Sequence, residues 1–137
     1  MNTRPASSPQ AGSAASAAPG QFVFVLLDNY SLIAFASAIE PLRLANHVSG
    51  RELYRWRLVS ETGAPVRASA GIETAVNGPL EELPRGATAV VCGGIDVARA
   101  TTKGVLNWLR RESRRGVTMG AVCTGAYALA RPPHLPG

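Results

Sequence analysis

One cysteine of this sequence lies where a short apolar strand gives way to a helix. Residues 117–122 are apolar and partly β-branched, which suits a buried strand, whereas residues 124–130 are small and Ala-rich, which suits a helix. Cys123 at this join would be held in the tight turn of a nucleophile elbow, where the following helix N-terminus favours thiolate over thiol. The alternative is a small buried cysteine at the end of a core strand, and the spacing alone leaves both interpretations open.

Two further strand ends carry residues that suit a binding site. Asp28 follows the continuous apolar run Phe22–Leu27, and Gly93 and Gly94 follow the run Ala87–Cys92. Because ligands of parallel sheets bind beyond the carboxyl ends of the strands, we expect the three strand ends to line one crevice. The predicted ligand-binding residues are Asp28, Gly93, Gly94, Cys123 and Thr124. Neither a metal nor a cofactor is predicted.

Helices are predicted between these strands. Ser31 is a plausible N-cap of the first helix, which should kink or break just before Pro41. Thr101 or Thr102 is expected to cap a second, amphipathic helix that leads into the elbow strand. The helices therefore alternate with the apolar strands.

The middle of the chain adds smaller elements. Tyr54–Ser60 is predicted as a strand nearer the sheet edge, Val66–Ala75 as one or two short strands, and Pro79–Leu83 as a short helical turn. Continuous rather than alternating hydrophobicity in the core strands indicates burial on both faces. The sequence therefore predicts an α/β fold with a three-layer, doubly wound, mostly parallel sheet.

Composition limits the classes of function. The chain has 137 residues, 46% of them hydrophobic, which is enough for one domain, and it has no apolar run of about 20 residues that could span a membrane. Cys92 and Cys123 are expected to be reduced thiols in a cytoplasmic protein. The net charge of +5 has one dense source, a predicted helix with Arg110, Arg111, Arg114 and Arg115. A solvated helix face is favoured there over a phosphate-binding face.

The two ends of the chain differ from its middle. Residues 1–20 are small and polar, which predicts a disordered tail, and residues 132–137 are expected to form an irregular tail after a domain spanning residues 21–131. Nothing after the elbow helix resembles a further strand. We therefore expect the domain to lack its C-terminal part and to expose apolar surface.

Three motifs together resemble one superfamily. They are the elbow Gly-Ala-Val-Cys-Thr-Gly-Ala at residues 120–126, Val-Val-Cys-Gly-Gly at 90–94, and Ile-Glu-Pro-Leu-Arg-Leu-Ala-Asn at 39–46. They resemble the ThiJ/PfpI superfamily, whose fold is like that of class I glutamine amidotransferases, and most of all the GlxA-type regulators of the AraC family. The resemblance implies a small-molecule-sensing domain that dimerises and reaches DNA only through a C-terminal helix-turn-helix part absent from this chain.

The resemblance also implies roles for individual residues. Cys123 matches the nucleophile position, and Gly93 and Gly94 match a loop that could hold an oxyanion. The acid position falls at residues 32–34, which carry no carboxylate, and the partner histidine should lie beyond the elbow helix. His134 receives no role, and His47 is expected at the surface. Cys123 is therefore expected to be a pseudo-nucleophile.

Three functions follow as hypotheses. The first is a sensor of an amino-acid-like or quaternary-amine metabolite, for which Tyr54 or Trp56 could supply a cation–π wall, although a role in the sheet core is favoured for both. The second is a cysteine-dependent hydrolase or glyoxalase-like enzyme. The third is an inactive, truncated fragment.

Overall fold

The computed structural model describes residues 18–131, which fold around one central sheet. All five of its strands run parallel. In spatial order they are β5 (Gly78–Pro79), β2 (Tyr54–Ser60), β1 (Gly20–Leu26), β6 (Thr88–Cys92) and β7 (Thr118–Val122). Two shorter strands, β3 (Val66–Arg67) and β4 (Glu73–Thr74), form a separate antiparallel hairpin.

Four helices connect or follow these strands. They are α1 (Leu32–Ser49), α2 (Val97–Ala100), α3 (Lys103–Arg114) and α4 (Ala126–Ala130), the last preceded by a 3₁₀ turn at Cys123–Gly125. Two of the N-caps follow the sequence prediction. The backbone N–H of Ala34 donates to Ser31 Oγ at 3.3 Å, and that of Val105 donates to Thr102 Oγ1 at 3.2 Å. Of the two predicted threonines, Thr102 is therefore the cap of α3.

The sheet is covered on both faces, and successive residues of β1 show this directly. Val23 and Val25 belong to a core that includes Trp108 of α3, whereas Phe24 and Leu26 belong to a second core on the α1 side. Burial of both faces explains why β1 is continuously apolar. The predicted three-layer, doubly wound α/β fold is thereby confirmed.

The structure differs from the sequence prediction in three places. Strand β7, predicted as a buried strand, is half-buried or exposed along Thr118–Val122, because it lies at the edge of the described sheet. Pro41 does not break α1, which continues to Ser49. The predicted helical turn at Pro79–Leu83 is wrong, because Gly78 and Pro79 instead pair with β2 as the edge strand β5. A proline is tolerated on an edge strand since its missing N–H would have faced away from the sheet.

The predicted tails and His134 fall almost entirely outside the described residues. At the amino end, β1 begins at Gly20, one residue before the predicted start of the domain. Within residues 18–131, none of the helices combines the length and apolarity needed to span a lipid bilayer.

Candidate functional site

Three adjacent strands end at one edge of the sheet, as the sequence predicts. Leu26 at the end of β1 pairs with Cys92 at the end of β6, and Cys92 pairs with Val122 at the end of β7. From β1 the chain crosses over to β2 through α1, and from β6 it crosses to β7 through α3 on the opposite face. The point between β1 and β6 is thus a topological switch point, where open α/β sheets bind ligands.

The loops after β1 and β6 are joined by backbone hydrogen bonds. The N–H of Ser31 donates to the carbonyl of Gly93 at 2.9 Å, and that of Ile95 donates to the carbonyl of Asn29 at 3.1 Å. A Cβ atom at Gly94 would overlap that same Asn29 carbonyl. The double glycine is therefore required by the close approach of two backbones at this edge.

The elbow after β7 closes onto the same loop. Thr124 Oγ1 donates to the carbonyl of Gly94 at 2.7 Å, and a Cβ on Gly93 would lie 2.6 Å from the backbone nitrogen of Gly125. A Cβ on Gly125 would in turn overlap the carbonyl of Val91. The structure thus brings together Gly93, Gly94 and Thr124, three of the five residues predicted to bind a ligand.

Cys123 has the elbow geometry that the sequence suggested. Its φ is +52°, a left-handed backbone conformation that is unfavourable for any residue other than glycine. The Cys123 side chain is exposed. Asn29 and Asp96, with φ of +63° and +56°, are the other non-glycine residues of this kind in the described chain, and they follow β1 and β6. Strained backbone is therefore concentrated where the three strands end, as is typical of functional sites.

The chemistry of Cys123 differs from that of a catalytic thiol. No carboxylate or imidazole within residues 18–131 is hydrogen-bonded to its sulfur. Cys123 is exposed, so its interpretation as a buried core cysteine is wrong. The other cysteine, Cys92, has that buried environment. Cys92 is fully buried, its thiol lies 3.7 Å from the carbonyl of Val90, and burial raises the pKa of this thiol to about 12.

Asp28 faces a different part of the crevice. It lines a cavity of about 200 Å³ at the ends of β1 and β2, together with Glu61 and Arg99. Gly93, Gly94, Cys123 and Thr124 do not line this cavity. Asp28 and Cys123 are thus beside neighbouring spaces at one sheet edge and do not share a single pocket.

The sequence analysis missed Glu61 and Arg99. Glu61 directly follows strand β2. The expectation that ligands bind beyond the carboxyl ends of the strands, which pointed to Asp28, therefore applies to Glu61 as well. Its carboxylate lies against the first turn of α3, where a Cβ on Gly104 would overlap Glu61 Oε2. A helix N-terminus stabilises a carboxylate at this position. No sequence pattern indicates Arg99, because its place beside the cavity depends on the position of the short helix α2.

Other candidate residues lie elsewhere. Tyr54, at the opposite end of β2, packs edge-to-face on Phe22 with ring centroids 5.7 Å apart, and Trp56 packs against the α1-side core. This arrangement supports the sheet-core role for both aromatic residues. His47 is exposed near the end of α1, as predicted.

The arginine cluster of α3 is partly structural. Glu112 is fully buried, and its carboxylate contacts Arg115 at 2.8 Å and Arg111 at 3.3 Å. It also accepts a hydrogen bond of 2.9 Å from the backbone of Leu83. Two of the four arginines thus neutralise a buried charge, as a buried carboxylate requires. Among residues 18–131, no group of three or more His, Cys, Asp or Glu side chains could hold a metal ion.

Comparison with curated proteins identifies transcription regulators. The chain is 44% identical over 119 residues to the HTH-type transcriptional regulator GbdR of Pseudomonas aeruginosa, covering 87% of this chain and 32% of that protein. It is 37% identical over 108 residues to the HTH-type transcriptional regulator GlxA of Rhizobium meliloti, covering 78% of this chain and 33% of that protein. The chain therefore spans about a third of the length of these relatives. No protein-family model matches it.

Comparison with solved structures gives the same family and the fold. An AraC family transcriptional regulator from Pseudomonas putida superposes with a TM-score of 0.69 at 26% identity, over 81% of this chain and 60% of that one. A ThiJ/PfpI family protein from Pseudomonas syringae superposes with a TM-score of 0.66 at 15% identity, over 93% of this chain and 51% of that one, which shows the fold alone. The chain is thus related to the GlxA-type regulators of the AraC family and has the fold of the ThiJ/PfpI superfamily.

Proposed function

We propose that this chain is the effector-sensing part of a transcription regulator. The observation that carries the proposal is the crevice between β1, β6 and β7, where an exposed elbow cysteine has no acid or base bonded to it in the described chain. Such a site can bind a ligand but lacks the groups that move protons in catalysis. DNA binding would belong to a helix-turn-helix part outside this chain, and the location would be the cytoplasm.

We further propose that the effector is an amino-acid-like or quaternary-amine metabolite. The cavity beside Asp28 supports this class, because Asp28 and Glu61 contribute two carboxylates and Arg99 contributes one guanidinium. The carboxylates suit an ammonium group, and the guanidinium suits a carboxylate at the other end of a small zwitterion. Gly93, Gly94, Cys123 and Thr124 border the neighbouring space on the β6 and β7 side and do not line this cavity.

Thermal denaturation of the full chain tests both proposals. We expect glycine betaine, carnitine or one of the amino acids to raise the Tm, since a ligand at 100 times its Kd stabilises by about 2.7 kcal/mol. Asp28→Asn should weaken that ligand about tenfold or more, because it removes a charge from the cavity. The matched control is Glu73→Gln on the exposed hairpin. No Tm shift with any of these compounds would contradict the proposed effector class.

A cysteine-dependent enzyme is the second candidate, since Cys123 is exposed in an elbow conformation. Incubation with methylglyoxal or with a peptide substrate separates the two functions. We expect no turnover by the full chain. Turnover that is lost in Cys123→Ala would establish the enzyme and overturn the sensor.

A further inference from the structure

The β3–β4 hairpin forms one wall of the cavity beside Asp28. Val66, the first residue of β3, lines this cavity together with Ala64 and Pro65 just before it. The two strands pair with each other at only two positions, and a hairpin this short is not stable by itself. Contacts with the rest of the domain must therefore hold this wall of the cavity in place.

The hairpin is bonded to the loop that follows β1. The N–H of Asn29 donates to the carbonyl of Arg67 at 2.8 Å, and the N–H of Ser69 donates to the carbonyl of Tyr30 at 2.9 Å. The hydroxyl of the fully buried Tyr30 is also hydrogen-bonded to Thr74 Oγ1. Because these bonds join both strands of the hairpin to one short loop, a shift of the hairpin must also shift the loop.

The same loop is bonded on its other side to the loop after β6, which contains Gly93 and Gly94. The carbonyl of Asn29 accepts a hydrogen bond from the N–H of Ile95 at 3.1 Å. That N–H belongs to the peptide group whose carbonyl, on Gly94, accepts the hydroxyl of Thr124 at 2.7 Å. Three consecutive hydrogen bonds therefore connect the hairpin with the elbow, and bonds in such a chain strengthen one another.

Asn29 occupies the middle of this chain of hydrogen bonds in a strained conformation. Its φ is +63°, which a residue other than glycine keeps only where its surroundings enforce it. The bonds to the hairpin and to Ile95 enforce it from two sides, so that losing one weakens the other.

We propose that the hairpin and the elbow are coupled through Asn29, so that a ligand held against Val66 changes the elbow at Cys123. The ligand in this inference is the effector of the proposed function. The cavity beside Asp28 and the space beside Cys123 would then be two separate sites that respond to each other, and a coupling of this kind acts equally in both directions.

A double-mutant cycle on the full chain tests the coupling without any ligand. Thr74→Val removes the hydroxyl at the hairpin and Thr124→Val removes the hydroxyl at the elbow, and both keep the shape of the side chain. Changes at independent sites multiply their effects on the equilibrium constant of unfolding. We expect the effect of the double variant to fall short of that product by about threefold or more, since the first loss already weakens the second bond. Urea denaturation measures all the variants.

The matched control for the cycle is Thr118→Val, because Thr118 is an exposed residue of β7. Its effect and that of Thr74→Val should multiply. Full multiplication for Thr74→Val with Thr124→Val would overturn the proposal, and so would an equal shortfall in the control pair, because the loss would then be general.

Calorimetric titration with glycine betaine tests transmission from the cavity. Thr124→Val should raise the Kd about fivefold, although Thr124 does not line the cavity, and Thr118→Val should leave the Kd unchanged. An equal Kd in the wild type and in Thr124→Val would overturn the transmission. If glycine betaine does not bind the wild type, that result counts against the proposed effector, and the unfolding cycle alone decides whether the hairpin and the elbow are coupled.

Discussion

The two cysteines occupy neighbouring strand ends and have opposite environments. Cys92 is the last residue of β6, fully buried between the sheet and α1, and Cys123 is the first residue after β7, exposed and in a left-handed conformation. In the sheet register, the residue opposite Cys92 is Val122. Cys123 is thus one position beyond the paired strand.

That single position decides which chemistry each thiol can perform. A residue inside a parallel strand is fixed by the ladder and points its side chain into one of two cores. The next residue is released from the ladder, and here the backbone reverses into the elbow because Gly125 and Gly93 allow the turn to close. Cys92 at the end of β6 is therefore a packing residue, whereas Cys123 after β7 is a candidate ligand contact.

Thiol reactivity should show the largest difference between them. At pH 8, Ellman's reagent should modify Cys123 at least about 1000-fold faster than Cys92, because Cys92 reacts only after the core opens and its raised pKa leaves little thiolate. Stopped-flow absorbance should record one fast equivalent in the native chain and a second only in guanidinium. The Cys123→Ser variant should lose the fast equivalent, and two fast equivalents in the wild type would contradict the buried environment of Cys92.

Replacement of Gly125, two residues after Cys123 in the elbow, should have the next largest effect, which is on the free energy of unfolding. Gly125→Ala should lower the free energy of unfolding by about 3 kcal/mol or more, since the new methyl group would overlap the Val91 carbonyl and neither backbone can move freely. Gly120→Ala in β7 is the control, because its Cβ would find neighbours at an ordinary 3.9 Å. Urea denaturation measures both variants. Equal stabilities would mean that the elbow does not need its glycine.

These contrasts show which features the sequence could predict. The apolar runs of β1 and β6 were recognisable because both of their faces are covered, whereas β7 is an edge strand of half-buried and exposed residues that its apolar sequence alone indicated. Parallel pairing then placed Gly93, Gly94 and Cys123 at one end of the sheet. The edge strand β5 was not recognisable, because two residues carry no periodicity and Pro79 is uncommon in strands. The cavity beside Asp28 depends on where α2 carries Arg99, which no local pattern encodes.

Replacement of each cysteine by serine compares the two environments energetically. Cys92→Ser should cost about 2 kcal/mol, because a hydroxyl buried in an apolar core loses its hydration and has only the carbonyl of Val90 nearby. Cys123→Ser should change the free energy of unfolding by less than about 0.5 kcal/mol, since the side chain is exposed. Paired urea titrations measure the difference. A larger loss at Cys123 would mean that its sulfur is packed in solution.

The smallest expected effect concerns the hydrogen bond between the elbow and the double-glycine loop. Thr124→Val keeps the shape of the side chain but removes the hydroxyl that donates to the Gly94 carbonyl at 2.7 Å, so the free energy of unfolding should fall by about 1 kcal/mol. Thr118→Val is the matched control, because Thr118 is an exposed residue of β7. The same loss should loosen the elbow and leave the β6 ladder intact. Amide hydrogen exchange should therefore quicken more at residues 123–126 than at Val91 and Cys92, where the lost global stability sets the change, and equal quickening at both would show that the two strand ends open as one unit.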